Sequence, residues 1–283
     1  MKRILLPTDF SENAWHAIDY ARKLFASQEC QFFVLNAFQI GSSGLMTKMN
    51  RANQTRLFQI TKAESEAGLK KVMDRINQEK TNPKHSFKTI CMVSTLVNAV
   101  AKSAYEEDID FIVMGTKGAT GLKEVFLGSN TVRILKKVTY SPIIVVPDDF
   151  KSSKLETILF VTGFEHLHDT FEIRPMANIA KFTGAKIKVL YVGDFADLQP
   201  HQVKAKELIH SRLKGIAHEV VNVTGEQSIS ASIKKAIDDD ATIGMVAMID
   251  YWHSFMEKLT HEPVVKKIAF NSKVPFLVMH LFE

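Results

Sequence analysis

The chain has 283 residues, of which 46% are hydrophobic and 24% are charged, a balance typical of globular proteins and long enough for two domains. No apolar run approaches the ~20 residues that span a bilayer, and the apolar start of the chain ends at Pro7, too early for a signal peptide. The net charge of +5 comes from Lys and Arg scattered among Asp and Glu, which argues against nucleic-acid binding. We therefore expect a cytoplasmic protein with no nucleic-acid partner and no membrane partner.

The two cysteines, Cys30 and Cys91, stand far apart and belong to no CxxC motif or Cys/His cluster. This pattern favours two reduced thiols over a disulfide or a metal site.

The chain contains an internal repeat. Ile4–Phe10 reappears as Ile158–Phe164, and the segment Tyr140–Val146 reappears near the end as Val274–Met279. The first copy is longer, and its extra residues fall in the polar stretch 41–83. A short polar linker separates the copies, so the sequence predicts one domain over 1–149 and a second over 154–283.

Apolar strands alternate with amphipathic helices along the first copy. The predicted elements are, in chain order, strand Ile4–Leu6, a helix capped by Ser11, strand Phe32–Ala37, a long helix from Leu45 to Lys80, strand Phe87–Val93, helix Leu96–Glu107, strand Phe111–Met114, helix Thr131–Val138 and strand Ile143–Val146.

The second copy follows the same course. Its predicted strands are Thr157–Val161, Lys186–Tyr191, His218–Val223, Gly244–Met248 and Val274–Met279. Such alternation predicts an α/β fold of two tandem flavodoxin-like domains, each a five-stranded parallel sheet with helices on both faces. Sheets of this kind bind ligands beyond the carboxyl ends of their strands.

A glycine-rich segment follows the fourth strand of the first copy. Its spacing is Gly115-x2-Gly118-x9-Gly128-Ser129, and Asn130 and a helix come next. Glycines let a ligand approach the backbone, and free N–H groups at the start of a helix, here with Ser129 as the expected N-cap, can receive a phosphate. The alternative is a surface loop in which the glycines only form turns.

Two common phosphate-binding motifs do not fit this segment. A Walker A loop needs Gly-Lys-Ser/Thr, which Lys117 does not provide, and a dinucleotide fingerprint follows the first strand rather than the fourth. The spacing instead resembles the ATP-binding signature of the universal stress protein family. The opening segment Lys2–Glu12 and the strand Asp110–Gly115 are also similar to that family, and the whole chain resembles its tandem two-domain members.

The resemblance implies a nucleotide site in the first copy. Asp9, with Pro7 and Thr8 before it, would lie near the adenosine, Ala37 would meet the adenine through its backbone, and Met114 and Gly115 would line the base and ribose. The groups implied to contact or screen the phosphates are Lys117, Gly118, Gly128, Ser129 and Asn130. Asp9 could alternatively be a turn residue before Ser11, and Lys117 a solvated lysine. The implied ligand is ATP, with Mg²⁺ left open.

Two departures from the family pattern affect the rim of this site. Ser94–Leu96 replaces the usual Gly-x-Pro, and Asn36 stands where many members have His.

The second copy lacks the glycine loop. Met248, Tyr251, His261 and Glu262 stand opposite the loop positions, and Gly163 stands opposite Asp9. We therefore expect no equivalent ATP binding there. The nearby pair His166 and His168 has no third ligand at a helpful spacing, and a solvated loop is the favoured interpretation.

The resemblance favours a regulatory protein of the stress response whose ATP occupancy alters its conformation or partners. A slow ATPase and a structural tandem module without nucleotide are the alternatives; no catalytic base is visible beside the loop. The two fifth strands, Ile143–Val146 and Val274–Met279, are apolar and predicted at sheet edges, where they need cover. They predict an intramolecular pseudo-dimer of the two domains, and further association into a homo-oligomer is left open.

Overall fold

The computed structural model describes residues 1–40, 51–79, 81–116, 128–151, 154–165, 172–225, 228–250 and 273–280. Its elements in the first half of the chain are β1 (Lys2–Pro7), α1 (Glu12–Leu24), β2 (Cys30–Phe38), α2 (Arg51–Gln78), β3 (His85–Val93), α3 (Leu96–Glu106), β4 (Phe111–Gly115), α4 (Ser129–Lys137) and β5 (Ile143–Val146). Those in the second half are β6 (Thr157–Val161), α5 (Arg174–Thr183), β7 (Lys186–Val192), α6 (Pro200–Arg212), β8 (His218–Val223), α7 (Ile229–Asp239), β9 (Ile243–Asp250) and β10 (Phe276–His280).

The described residues form two compact units, one reaching Val138 and one beginning at Thr139. Strands alternate with helices in both, and the α/β class with tandem flavodoxin-like folds, predicted from the sequence, is confirmed. More residues separate the second and third strands in the first half than in the second half, because α2 has 28 residues and α6 has 13. Within the described parts of the chain, no helix is long and apolar enough to cross a membrane.

The first unit has four parallel strands in the order β3-β2-β1-β4. Ile4, Leu5 and Leu6 of β1 are all fully buried. Successive side chains of a strand point to opposite faces, so both faces of β1 are covered. β1 lies between β2, which follows it in the chain, and β4, which comes later. The strand order therefore reverses beside β1, the place where open α/β sheets bind ligands.

The second unit repeats this arrangement. Its parallel strands run in the order β10-β9-β6-β7-β8. β5 belongs to this unit as well and pairs antiparallel with β10, with Val145 opposite Phe276 and Ile143 opposite Val278. All four residues of β5 are buried, so this apolar strand is covered.

The internal repeat is visible in the turn that follows the first strand of each unit. The Thr8 hydroxyl accepts a hydrogen bond from the Phe10 N–H at 3.0 Å, and the Thr162 hydroxyl accepts one from the Phe164 N–H at 3.0 Å. Both phenylalanines have positive φ, 67° and 59°, which is uncommon for a bulky residue. The same sequence pattern, Thr-x-Phe, therefore folds twice into the same unusual turn.

Two local predictions are confirmed in the first unit. Ser11 is the N-cap of α1, and its hydroxyl accepts a hydrogen bond from the Ala14 N–H at 3.2 Å. Cys30 and Cys91 are free thiols. Burial raises the pKa of the Cys30 thiol to about 11, so this group stays protonated and unreactive.

Candidate functional site

A cavity of about 150 Å³ lies at the carboxyl ends of β1 and β4, and we call it the glycine-loop cavity. It is lined by Pro7, Thr8, Asp9, Ala14, Leu96, Met114, Gly115, Gly128, Ser129, Asn130 and Thr131. Eight of these residues are among the eleven predicted from the sequence. They come from three separate segments of the chain and meet at the point where the strand order reverses.

One predicted residue lies elsewhere, and two are not described. Ala37 lines a neighbouring cavity described below. Lys117 and Gly118 lie outside the described residues, as do His166, His168 and most of the second-copy positions aligned with the loop.

The start of α4 differs from the sequence prediction. Ser129 was expected to cap this helix, but the N-cap is Gly128 and Ser129 is the first helical residue. The reason is that the Gly128 carbonyl already accepts the first helical hydrogen bond, from Val132 at 3.1 Å, while its N–H donates to the Thr116 carbonyl at 2.7 Å. A glycine cap has no side chain, and α4 has no side-chain capping bond. The first N–H groups of a helix have no partner within the helix, and at α4 no side chain of the cap residue satisfies them.

Gly128 also corrects an expectation about backbone conformation. Its φ is −53°, a value open to any residue. Glycine is therefore not required here by a left-handed backbone. Gly128 is nevertheless part of the lining of the glycine-loop cavity.

At Gly115 the lack of a side chain makes room for α1 rather than for a ligand. A Cβ built on Gly115 would lie 2.7 to 2.9 Å from three atoms of the Asn13 side chain. The first turn of α1 therefore packs directly on this glycine at the end of β4. The Gly115 carbonyl also accepts a hydrogen bond from the Thr131 hydroxyl at 3.4 Å, so the residue connects β4 to the start of α4.

Asp9 acts as a turn residue before Ser11, which is the alternative role that the sequence allows. Its Oδ1 accepts hydrogen bonds from the Ser11 N–H at 3.1 Å and the Ser11 hydroxyl at 2.6 Å. Asp9 is nevertheless exposed and lines the cavity. Its position at the mouth is thus fixed by the turn.

A buried polar network holds this turn against the sheet. The Asn36 side chain donates to the Thr8 carbonyl at 2.7 Å, and its Oδ1 accepts from the Ser65 hydroxyl at 2.7 Å. Asn36 is the residue that departs from the family pattern. In this chain it connects β1, β2 and α2 behind the cavity, so its role is to position the cavity wall.

A second and larger cavity, of about 680 Å³, adjoins the first, and we call it the α3–α4 groove. Its lining residues are Ala37, Gln39, Ser94, Thr95, Leu96, Val97, Asn98, Asn130, Arg133, Lys136 and Lys137. Leu96 and Asn130 line both cavities. The volume lies within the range of about 300–1,000 Å³ typical of small-molecule sites.

The sequence analysis missed the three cations of this groove. Arg133, Lys136 and Lys137 have the i, i+3, i+4 spacing that places residues on one face of a helix. That spacing was the available signal.

In the second unit, the ends of β6 and β7, the counterparts of β1 and β2, make different contacts. The Gln202 side chain donates to the carbonyl of Gly163, the residue opposite Asp9, at 2.9 Å, and to Glu165 at 3.0 Å. Phe164 stacks on Tyr191, with ring centroids 5.3 Å apart, and Tyr191 stacks on Phe195. Aromatic rings thus cover the ends of β6 and β7. Among the residues described for the chain, no group of three or more His, Cys, Asp or Glu could hold a metal ion.

The fold and the cavity define a class: an α/β domain of the flavodoxin-like type, with a cavity at the strand-order reversal. The model of the Universal stress protein family matches residues 1–147, which is more than half of the chain. The chain therefore belongs to the universal stress protein family.

Similar proteins agree with this assignment. Universal stress protein MJ0577 of Methanocaldococcus jannaschii is 29% identical over 158 residues, which cover 51% of this chain and 94% of that protein. A universal stress protein from Archaeoglobus fulgidus has a crystal structure that covers 98% of this chain and 96% of its own, with a TM-score of 0.66 and 18% identity. The match to a universal stress protein from Pseudomonas aeruginosa covers 99% of this chain and 93% of that protein, with a TM-score of 0.60 and 11% identity. At these identities the two structures show a shared fold over both halves of the chain.

Proposed function

We propose that the chain binds one adenine nucleotide, ATP, in its first domain, and that this occupancy regulates its conformation or partners in a cytoplasmic stress response. The observation that carries the proposal is the convergence of Asp9, Gly115, Gly128 and Ser129 around one cavity at the start of α4. These four residues come from three separate segments of the chain.

The chemistry of the cavity suits a phosphate. Helix starts carry unsatisfied N–H groups and a partial positive charge, and both favour an anion. At α4 no side chain occupies the capping position, because the cap is Gly128. The phosphates would lie here against Ser129 and Asn130, and the adenosine would extend towards Ala37 through the α3–α4 groove, which begins at the shared Asn130.

The domains proposed for this function are residues 1–149, with the nucleotide site, and residues 154–283, without one. Gly163 replaces Asp9 in the second domain, and the Phe164, Tyr191 and Phe195 rings cover its strand ends. The support for its lack of a nucleotide site is the sequence, in which Tyr251, His261 and Glu262 stand opposite Gly118, Gly128 and Ser129.

Calorimetry with purified full-length protein tests the proposal. ATP should bind with a stoichiometry of one per chain, and Gly128→Val should abolish binding because its side chain fills the cavity wall. The variant should keep its circular dichroism spectrum and unfolding midpoint, since φ at this position is open to valine. Unchanged ATP affinity in Gly128→Val would contradict the proposed site. Mass spectrometry of ligand released from native protein identifies the nucleotide independently.

We also propose that the two domains form an intramolecular pseudo-dimer through their fifth strands. Its support is that β5, which the sequence assigns to the first domain, lies in the second compact unit and pairs there antiparallel with β10. Val145 of this strand is 1% exposed. Val145→Lys would place a charge on a buried strand. It should cause domain separation in small-angle scattering or aggregation, whereas Val203→Lys, on an α6 residue that is 40% exposed, should not. A Val145→Lys protein with an unchanged scattering profile would contradict the proposal.

A further inference from the structure

A third cavity, of about 440 Å³, lies between α1 and α2, and we call it the α1–α2 cavity. Its lining residues are Thr8, Phe10, Ser11, Trp15, Ile18, Glu64, Ala67, Gly68, Lys71, Val72 and Arg75. All of them lie within the described ranges 1–40 and 51–79. The volume is within the range of about 300–1,000 Å³ that small-molecule sites have.

The α1–α2 cavity and the α3–α4 groove lie on opposite faces of the first sheet. In the order β3-β2-β1-β4, the connections through α1 and α2 run in one direction along the sheet, and the connection through α3 runs back. Crossovers between parallel strands are right-handed, so α1 and α2 cover one face and α3 covers the other. The α1–α2 cavity is therefore separate from the groove proposed for the adenosine, although Thr8 lines both it and the glycine-loop cavity.

The second unit carries an aromatic ring where the first carries a short amide. The Leu35 carbonyl accepts a hydrogen bond from the turn after β1 at 2.8 Å, and Asn36 comes next in β2. The Leu190 carbonyl accepts the equivalent bond from the turn after β6 at 3.1 Å, and Tyr191 comes next in β7. Asn36 and Tyr191 thus occupy the same register position beside the repeated turn.

The two phenylalanines of the repeated turn differ in burial accordingly. Phe164 is fully buried, and its ring stacks on Tyr191. Phe10 has the same positive φ but is 39% exposed, and its ring lines the α1–α2 cavity. The turn itself therefore does not require an exposed ring. An aromatic side chain left open in a concave site favours an apolar ligand, which would cover it.

The walls of the α1–α2 cavity are flat. The Phe10 ring lies against the backbone of α2 at Gly68, where a Cβ would come within 2.4 Å of it. The Arg75 guanidinium lies over the Trp15 ring, 4.0 Å from its centroid, and donates to both carboxylate oxygens of Glu12 at 2.8 and 3.1 Å. These contacts fix Arg75 and neutralise its charge. Aromatic rings and a held guanidinium plane suit a planar ligand, which can stack on them.

Two further charged residues line the cavity, and they differ in the direction that a helix gives them. Glu64 lies one turn before Gly68 on α2, and Lys71 lies one turn after it. Helical side chains lean towards the N-terminus of their helix, so Lys71 leans over Gly68 while Glu64 leans away from it. The charge beside the Phe10 ring is therefore positive, which favours an acidic group on the ligand.

We propose that the α1–α2 cavity is a binding site for a small planar aromatic acid. The aromatic ring of the ligand lies between Phe10 and Trp15, and its carboxylate binds the Lys71 ammonium group. This inference does not depend on the proposed nucleotide binding, because the two sites are on opposite faces of the sheet.

Calorimetry with trans-cinnamate and its neutral counterpart trans-cinnamamide tests the site on the full chain. Cinnamate should bind saturably, with one molecule per chain and at least about threefold more tightly than cinnamamide, which is within the range for an ion pair with an exposed side chain. Lys71→Gln should remove this preference. Lys70→Gln is the matched control, because Lys70 is an exposed neighbour that does not line the cavity, and it should keep the preference.

A second pair of variants tests the cavity itself. Ala67→Phe should abolish cinnamate binding, because the added ring fills the cavity. Ala63→Phe, one turn earlier on α2 and outside the lining, should bind cinnamate as the parent chain does. Both alanines are exposed, so circular dichroism should show an unchanged unfolding midpoint for each variant.

Three results would overturn the site. They are no saturable binding of cinnamate by the parent chain, unchanged affinity in Ala67→Phe, and loss of cinnamate binding in Gly128→Val, which would place the probe in the glycine-loop cavity. Equal affinities for cinnamate and cinnamamide would overturn the acidic nature of the ligand. Loss of ATP binding alone would contradict the proposed function and leave this site standing, so the two failures are distinguishable.

Discussion

Replacing Gly115 by alanine tests the packing that shapes the glycine-loop cavity. The added Cβ would lie 2.7 Å from Asn13 Nδ2, 2.8 Å from Cγ and 2.9 Å from Oδ1, and all three distances are shorter than real Cβ contacts. Either the Asn13 side chain moves or β4 shifts away from α1. Overpacking of this kind costs about 1–3 kcal/mol. We expect the lower half of that range, because Asn13 is half-buried and can partly turn away.

A double-mutant cycle isolates the contact. Asn13→Ala removes all three clashing atoms, so Gly115→Ala should cost much less in that background than in the parent chain. The free energy of unfolding of the four proteins can be measured by urea denaturation followed by circular dichroism. A coupling of about 1 kcal/mol or more in the rescuing direction is expected. Additive effects of the two substitutions, or no destabilisation by Gly115→Ala, would refute the packing argument.

Three further predictions concern stability, pH and binding. Gly68→Ala would place a Cβ against the ring of Phe10, which is 39% exposed and would have to move, while alanine gains about 1 kcal/mol over glycine inside helix α2. Gly68→Ala should therefore be more favourable in a Phe10→Ala background than in the parent chain, and equal effects in urea denaturation would contradict this. Burial lowers the pKa of His280 to about 4 from 6.5, so the unfolded state binds more protons between these values and stability falls as pH falls. At 1.36 kcal/mol per pKa unit, the loss of stability reaches about 3 kcal/mol near pH 4, and about 2 kcal/mol of it has occurred by pH 5. The free energy of unfolding of His280→Gln should therefore differ less between pH 7.5 and pH 5 than that of the parent chain. An equal difference in the variant would refute the assignment to His280. Ser129→Ala should weaken ATP binding in calorimetry by about 1 kcal/mol, or about fivefold. Ser27 is an exposed serine that does not line the cavity, so Ser27→Ala should leave ATP affinity unchanged. Equal losses of affinity in the two variants would argue against the site.

The fold could be predicted because the signals that specify it are local. Ile4, Leu5 and Leu6 form a continuous apolar run, which is typical of a strand covered on both faces, and they are fully buried. The Thr-x-Phe repeat identified the two copies, and it folds into matching turns at Phe10 and Phe164. Such features depend on short segments, which a sequence displays directly.

The details that were missed depend on contacts between distant segments. Gly128 and Ser129 are both acceptable N-caps, and the choice between them follows from the hydrogen bond of Gly128 to Thr116 across the loop. The contact of Asn13 with Gly115 likewise joins α1 to the end of β4. Neither of these two contacts can be predicted from a periodic pattern in the sequence.

Titration of ATP into the full-length protein tests the central claim most directly. The account predicts saturable binding of one ATP per chain, lost in Gly128→Val while the unfolding midpoint of that variant is preserved. Absence of binding by the parent chain, or two equivalent sites per chain, would contradict the claim that the first domain alone holds the nucleotide.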